Sequence, residues 1–234
     1  MNLKSIIPKH IKLKFRLVKR FLSDINIDFA KANNEKKTLL NSISTIQEIK
    51  QGAFYDNKVH NLKVASSKVE TIIINPNEIF SFWKVIGSPL EKNGFKTGRN
   101  IIKGKVSEEI GGGLCQLSSI IYFAALKGNL EIVERYNHSV DIYKEDERFT
   151  PLGSDATVVY GYKDLRIKNN YNFPIRFLLS FEENKIICKL ESEMKIEESN
   201  LDFRRNYKES HIEVVTTINL KQHCVSTYKF MELN

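Results

Sequence analysis

The centre of the predicted fold is encoded in residues 111–119, Gly111-Gly112-Gly113-Leu114-Cys115-Gln116-Leu117-Ser118-Ser119. Consecutive glycines permit backbone conformations that other residues avoid. Apolar residues then recur at helical spacing from Leu114 to Ala125, and Gly128 follows as a residue suited to end the helix. We therefore expect a central helix whose first turn carries Cys115.

A thiol on the first turn of a helix is predisposed to ionise. The free N–H groups and the dipole at that end favour negative charge, and the thiolate is the nucleophilic form of cysteine. His138 and Asp155 come later in the chain, each beside a strand-like run. An imidazole that shares the thiol proton and a carboxylate that orients the imidazole make up a catalytic triad. We predict that Cys115, His138 and Asp155 form such a triad.

Each of these residues also has a structural interpretation. A cysteine is often a packing residue, a histidine can cap a turn, and Asp155 follows Gly153-Ser154 in a sequence typical of turns. Residues next to the cysteine are expected to contact substrate, since Gln116 or the Cys115 N–H can bind an oxyanion. Those expected to do so are Gly113, Gln116 and Ser118.

Three further residues are candidates for binding substrate. Asp164 and Arg166 are two apart, so they share one face of a strand. They are either an ordinary ion pair, or Arg166 holds a substrate carboxylate with its two-pronged guanidinium. Trp83 is either a wall for a sugar or peptide, or part of the core.

The rest of the pattern predicts an α+β fold, with the Cys115 helix packed on a largely antiparallel sheet. Residues 36–51 carry apolar side chains at roughly helical spacing and predict a helix, whereas residues 69–74 predict a strand. The strands predicted after the Cys115 helix are 131–134, 139–143, 156–162, 175–181 and 185–191, followed by a hairpin over 212–231.

Several segments resemble the VanW family, which is named for a protein of glycopeptide-resistance gene clusters. The resembling segments are NPNEIFSFW at 75–83, GGGLCQLSS at 111–119, ERYNHS at 134–139, GSDATV at 153–158 and YGYKDLRIKN at 160–169. They occur in the order of the family. The resemblance suggests three parts: a basic helical extension (1–50), a VanW-like domain (51–192), and a charged linker with a C-terminal hairpin packed on the domain (193–234).

The resemblance also implies a role in bacterial cell-wall metabolism and vancomycin resistance. Some VanW domains act as L,D-transpeptidases with a cysteine nucleophile, which corresponds to Cys115 here. The expected partner is a peptidoglycan stem peptide or precursor, and the chemistry needs no cofactor. The alternatives are a non-catalytic module that binds precursor or a membrane partner, and a redox-sensing thiol protein. The last would leave His138 and Asp155 without a role.

The net charge of +8 is concentrated at the N-terminus, where residues 1–23 combine basic and apolar side chains and contain no acidic residue. This segment either lies on an anionic membrane surface or packs on the domain as a helix with a basic outer face. The longest apolar run in this segment is too short to span a bilayer. The segment also lacks the uninterrupted apolar core and the small-residue cleavage site of a secretory signal. The expected location is therefore the cytoplasm or the inner face of the membrane.

Two further classes of function are disfavoured. No aromatic-rich basic sheet or helix-turn-helix accompanies the positive charge, so nucleic-acid binding is not expected. The chain has three cysteines, and the His223-Cys224 pair has no second pair at a ligand spacing, so no metal site is expected.

Overall fold

The computed structural model describes residues 7–33, 37–102, 105–141, 148 and 150–230. It confirms a mixed α+β fold in which short antiparallel sheets predominate. The start of the basic segment, including Lys4, and the last two residues of the predicted strand 139–143 lie outside these residues. No helix among the described residues combines the length and apolarity needed to cross a bilayer.

The helices and strands follow one another in a mixed order along the chain. The helices are α1 (Lys9–Ser23), α2 (Tyr55–Val69), α3 (Phe82–Ile86) and α4 (Leu114–Lys127). The strands are β1 (Asn41–Glu48), β2 (Ile79–Ser81), β3 (Thr97–Ile102), β4 (Lys105–Ile110), β5 (Glu131–Glu134), β6 (Arg166–Lys168), β7 (Ile175–Glu182), β8 (Lys185–Ser192), β9 (Leu201–Tyr207), β10 (His211–Ile218) and β11 (Lys221–Lys229).

Helix α4 lies in the main core. Its residues are apolar or small on nearly every side, and most of them are buried, including Leu117, Ile121 and Tyr122. A helix that is apolar all round is stable only when other elements surround it. Helix α2 and the strands β1 and β8 supply this cover.

The described strands form four small antiparallel sheets instead of one large one. Their strand orders are β1-β8-β7, β2-β6-β5, β3-β4 and β11-β10-β9. Strands β10 and β11 pair as the hairpin that the sequence predicted near the C-terminus. Of these sheets, the one that contains β1 and β8 packs against α4.

The prediction of a helix over residues 36–51 is wrong, because β1 occupies most of this segment and pairs with β8 from Asn41↔Ser192 to Glu48↔Lys185. Its buried residues alternate with period two: Ile43, Thr45, Gln47 and Ile49 face inward. Ile46 points outward and is 56% exposed. Two of the inward residues, Thr45 and Gln47, are polar. The apolar residues of the segment therefore do not alternate with period two, although the buried residues do.

Three other expectations need correction. Residues 69–74 are not a strand: α2 extends to Val69, and only isolated bridges such as Ile74↔Ile175 follow it. Residues 156–162 form no strand either, apart from the bridge Val159↔Lys163. The expected charged linker contains strand β9. The domain boundaries after residues 50 and 192 stay predictions.

Candidate thiol site

The glycine triplet brings the start of α4 into tight contact with β3. Gly113 precedes the helix with φ 101°, a left-handed conformation that glycine adopts without strain. A Cβ on Gly112 would lie 2.4 Å from the carbonyl carbon of Gly98. Only glycine permits this approach, and the turn that it allows sets Cys115 as the second residue of α4.

The Cys115 thiol lies half-buried against the chain around residue 157. Its Sγ is 3.6 Å from Thr157 Oγ1 and 3.7 Å from the carbonyl oxygen of Val158. Burial alone would raise the pKa of the thiol, but a hydrogen bond with His138 and the charge of that imidazole outweigh it. The pKa of Cys115 therefore lies below its ordinary value.

His138 is held from its other side by Asp155. Its Nδ1 is 2.6 Å from Asp155 Oδ2, and its backbone N–H donates to the same oxygen at 2.7 Å. Burial lowers the pKa of His138, but the hydrogen bonds to Asp155 and Cys115 raise it more, to about 10. Burial likewise opposes the ionisation of Asp155, yet His138 and Arg135 hold the pKa of this carboxyl well below its usual range. His138 therefore contacts Asp155 on one side and Cys115 on the other.

Arg135 holds Asp155 in place and is a site residue to which the sequence analysis gave no role. Its Nη2 donates to Asp155 Oδ1 at 3.0 Å, and its Nε donates to the Asp155 carbonyl at 2.7 Å. From β11, Ser226 Oγ lies 2.5 Å from Arg135 Nη1, and the Tyr228 hydroxyl donates to Asp155 Oδ1. Arg135 directly follows β5 and lies three residues before His138 in the sequence. This proximity is the one feature of the sequence that could have indicated its role.

Lys58 is a second residue that the sequence analysis missed. A Cβ on Gly113 would lie 2.8 Å from Lys58 Cγ, so this lysine packs against the residue that begins α4. Burial lowers the pKa of the Lys58 ammonium to about 8, and the positive charges of Arg99 and Lys50 act in the same direction. The sequence held no signal for this, because Lys58 lies on a different helix.

Of the residues expected beside the cysteine, two make structural contacts. Gln116 Nε2 donates to the Glu48 carbonyl at 2.7 Å, and its backbone N–H donates to Gly113 at 2.9 Å. Ser118 is fully buried, and its hydroxyl donates to the Ala156 carbonyl at 2.6 Å. These bonds fix the α4 start and the loop that carries Asp155, while the expected contacts with substrate stay predictions.

Asp164 and Arg166 belong to a separate buried cluster. Both Nη atoms of Arg166 contact Asp24, at 2.7 and 2.9 Å, and its Nε is 3.2 Å from Asp164 Oδ2. Asp164 also accepts from Ser81 Oγ at 2.6 Å. This geometry favours the ion-pair interpretation, because the guanidinium that was to bind a substrate carboxylate already binds Asp24.

Trp83 is joined to the same cluster. Its backbone N–H donates to Asp164 Oδ1 at 3.0 Å, and its indole N–H donates to the Lys163 carbonyl at 2.8 Å. The ring is partly buried and meets Tyr160 edge-on, with the ring centroids 5.5 Å apart. These contacts match the core interpretation of Trp83 better than an open wall.

No group of three or more His, Cys, Asp and Glu side chains suited to a metal occurs in the part of the chain that the structure describes. The other two thiols have different surroundings: Cys224 Sγ lies 3.9 Å from the Tyr122 hydroxyl, and Cys188 is fully buried in β8. The arrangement at Cys115 is thus that of an acidic thiol paired with an oriented imidazole, which is suited to nucleophilic attack.

Comparison with known proteins places these residues in a described family. The model of the family described as VanW like protein matches residues 57–191. The chain is 38% identical over 142 residues to the uncharacterized protein YoaR of Bacillus subtilis (strain 168), covering 58% of this chain and 45% of that protein. It is 31% identical over 134 residues to the vancomycin B-type resistance protein VanW of Enterococcus faecalis (strain ATCC 700802 / V583), covering 57% and 49%.

The matched region contains Cys115, His138 and Asp155, together with Arg135 and Lys58. It ends before the C-terminal sheet that supplies Ser226 and Tyr228. The chain spans about half the length of the two curated relatives. No solved structure matches it.

Proposed function

The chain belongs to the VanW family, and we propose that it is a cysteine-dependent acyl transferase or amidase that acts on the stem peptides of peptidoglycan or its precursors. Its relationship to a protein named for vancomycin resistance supports a role in bacteria exposed to glycopeptides. The observation that carries the proposed chemistry is the placement of His138 between Asp155 and Cys115.

The carboxylate of Asp155 determines which ring nitrogen of His138 exchanges a proton with the Cys115 thiol. Asp155 accepts a hydrogen bond from the Nδ1–H of His138, so Nε2 is left for Cys115. The raised pKa of His138 and the lowered pKa of Cys115 favour a thiolate beside an imidazolium at neutral pH. This pair contains both the nucleophile and the acid that acyl transfer requires.

In the first step, the Cys115 thiolate attacks the acyl carbonyl of the donor peptide and a carbon–sulfur bond forms. The oxygen takes up the negative charge, and the backbone N–H of Cys115 on the first turn of α4 is a suitable donor to it. When the oxyanion collapses, the carbon–nitrogen bond breaks. His138 gives its proton to the leaving amine, and a thioester remains on Cys115.

In the second step, the now neutral His138 takes a proton from the acceptor. An acceptor amine gives a new peptide bond, whereas water gives a shortened stem with a free carboxylate. The carbon–sulfur bond breaks in either case, and the thiolate and the imidazolium are restored. We assign to Lys58, whose side chain packs against Gly113, the role of binding a donor carboxylate near the reacting bond.

The test is to incubate the purified protein with disaccharide-tetrapeptide muropeptides and to follow products by mass spectrometry. We expect either dimers formed with loss of the terminal residue or shortened stems, and a trapped thioester on Cys115. Cys115→Ala should abolish all three. Cys188→Ala, which removes the buried thiol of β8, is the matched control and should retain activity.

Two results would contradict the proposal. If Cys115→Ala forms product as fast as the wild type, the thiol is not the nucleophile. If stem peptides and lipid-linked precursors bind to the wild type without any product or adduct, the chain is a binding module and not an enzyme.

A further inference from the structure

Helix α1 has one face that packs on the domain. Leu13 and Leu17 lie against the turn at Gly161, where a Cβ would be 2.5 Å from Leu13 Cδ1. Arg20 forms a two-pronged ion pair with Glu134, with distances of 2.5 and 3.0 Å. The helix is therefore fixed to the rest of the molecule at a defined orientation.

The opposite face of α1 is apolar and open to solvent. Residues on one side of a helix recur every three or four positions, and the apolar residues of α1 that are exposed follow this spacing into the next turn. Within the helix they are Ile11, Phe15, Val18, Phe21 and Leu22, and the exposed Ile7 and Ile25 flank it; we call these seven residues the α1 stripe. Phe15 is 70% and Phe21 is 68% exposed, and none of the residues in α1 is buried.

A continuous apolar stripe of this size calls for an occupant. Singly exposed apolar residues are normal on a protein surface, but contiguous apolar patches mark sites of contact with proteins or membranes. The rest of the domain does not cover the stripe, because its contacts with α1 are made by Leu13, Leu17 and Arg20 on the other side of the helix.

Charge identifies the kind of occupant. At about 100° per residue, Lys12 and Lys19 fall along one edge of the stripe and Lys14 falls at the other. The α1 sequence contains no acidic residue. Asp24, which follows α1, is buried and paired with Arg166 and Lys84. Apolar side chains flanked by lysines match a surface of lipid tails bordered by anionic headgroups.

We propose that α1 lies flat on an anionic lipid surface, with the α1 stripe in the region between headgroups and acyl chains and its lysines at the phosphates. The helix contacts Glu134 and the turn at Gly161, which neighbour Arg135 and the loop that lines the thiol. Binding to lipid therefore keeps the Cys115 site close to the membrane, where lipid-linked substrates are found.

The test is flotation with vesicles of phosphatidylcholine alone and of phosphatidylcholine mixed with phosphatidylglycerol. We expect the full chain to bind the mixed vesicles only, and to dissociate in salt on the order of 1 M, where the screening length falls to about 3 Å. Phe15→Ser with Phe21→Ser should abolish flotation. Lys12→Gln with Lys19→Gln should weaken it on the order of tenfold or more, since each lysine near the surface contributes about a fivefold factor.

The matched control is Leu220→Ser, which replaces an apolar residue that is 91% exposed in the turn between β10 and β11 and should leave flotation unchanged. Circular dichroism of each variant checks that the fold persists. Equal binding to neutral vesicles, or no binding, would overturn the proposal. So would sedimentation that shows a dimer lost in the Phe15→Ser, Phe21→Ser variant, because a second copy of the chain would then cover the stripe. Cys115→Ala should float as the wild type does, so the result is independent of catalysis.

Discussion

At the residue scale, Cys115 depends on two side chains that lie far from it in the sequence. His138 lowers the pKa of the thiol, and Asp155 keeps His138 protonated and oriented. Cys188 shows the contrast: it is fully buried without a charged partner, and burial raises the pKa of its thiol. The two pKa values move in opposite directions because Cys115 has a neighbouring imidazolium, whereas burial dominates at Cys188.

The first prediction concerns the ionisation of Cys115. The rate of alkylation by iodoacetamide should rise with an inflection below the ordinary thiol pKa of about 8.5, because the thiolate is the reactive form. In Asp155→Asn, the pKa of His138 should fall, so fewer imidazolium groups face the thiol at neutral pH. The inflection for Cys115 should then move up towards 8.5.

The alkylated residue is identified by peptide mass spectrometry, and Cys188 serves as the internal reference that reacts only after unfolding. An unchanged profile in Asp155→Asn would show that the carboxylate does not act through His138. Labelling of Cys115 only in denaturant would remove the nucleophile assignment.

At the element scale, the start of α4 is set by close backbone approach. Gly113 has a positive φ and leaves room for Lys58, while Gly112 lies against Gly98 on β3. Any side chain at these positions would move the first turn of α4, and with it Cys115, away from the loop of Thr157 and Val158. The glycines therefore determine the geometry of the site as well as the position of the helix.

The second prediction follows from this packing. Gly113→Ala should destabilise the protein by about 1–2 kcal/mol, which is the cost of a left-handed conformation in a residue with a Cβ, and the contact with Lys58 adds to it. Gly52→Ala is the control, since a Cβ there meets nothing within 4 Å. Urea unfolding measures both, and equal stabilities for the two variants would contradict the assigned role of Gly113.

At the scale of the whole molecule, the thiol site joins parts of the chain on both sides of the family boundary. Arg135 and Asp155 lie within residues 57–191, whereas Ser226 and Tyr228 reach them from β11. The C-terminal sheet thus completes the hydrogen bonds of a buried ion pair. A buried charge that loses its partner is costly, so this sheet and the site should be stable only together.

The third prediction tests that coupling. Arg135→Met should destabilise the fold by about 1.5–3 kcal/mol, because Asp155 loses the charge-assisted hydrogen bonds of the arginine while its contact with His138 remains. Lys168→Met is the control: Lys168 pairs with Glu131, whose side chains are 32% and 54% exposed, and such a salt bridge contributes about 0–1 kcal/mol. Chemical denaturation of both variants gives the comparison, and a loss at Arg135 no larger than at Lys168 would contradict the buried-pair account.

The local sequence by itself determined the helix at Cys115, the strands β7 and β8 and the C-terminal hairpin, because each has strong periodicity bounded by turn residues. It also predicted that Cys115, His138 and Asp155 act together, and His138 does contact the other two; their role as a triad stays a prediction. It failed at β1, where Thr45 and Gln47 face inward and the apolar spacing imitates a helix. This segment is a strand because it pairs with β8. No local pattern in the sequence encodes a partner so distant along the chain.

Tertiary structure alone decided which charged groups meet. Arg166 could bind substrate or pair within the fold, and the approach of Asp24 from beyond α1 favours the second. The roles of Arg135 and Lys58 were invisible for the same reason, because their partners lie on other elements. Hydrogen bonds and ion pairs act over a few ångströms in space, whereas helix and strand patterns arise from neighbours along the chain.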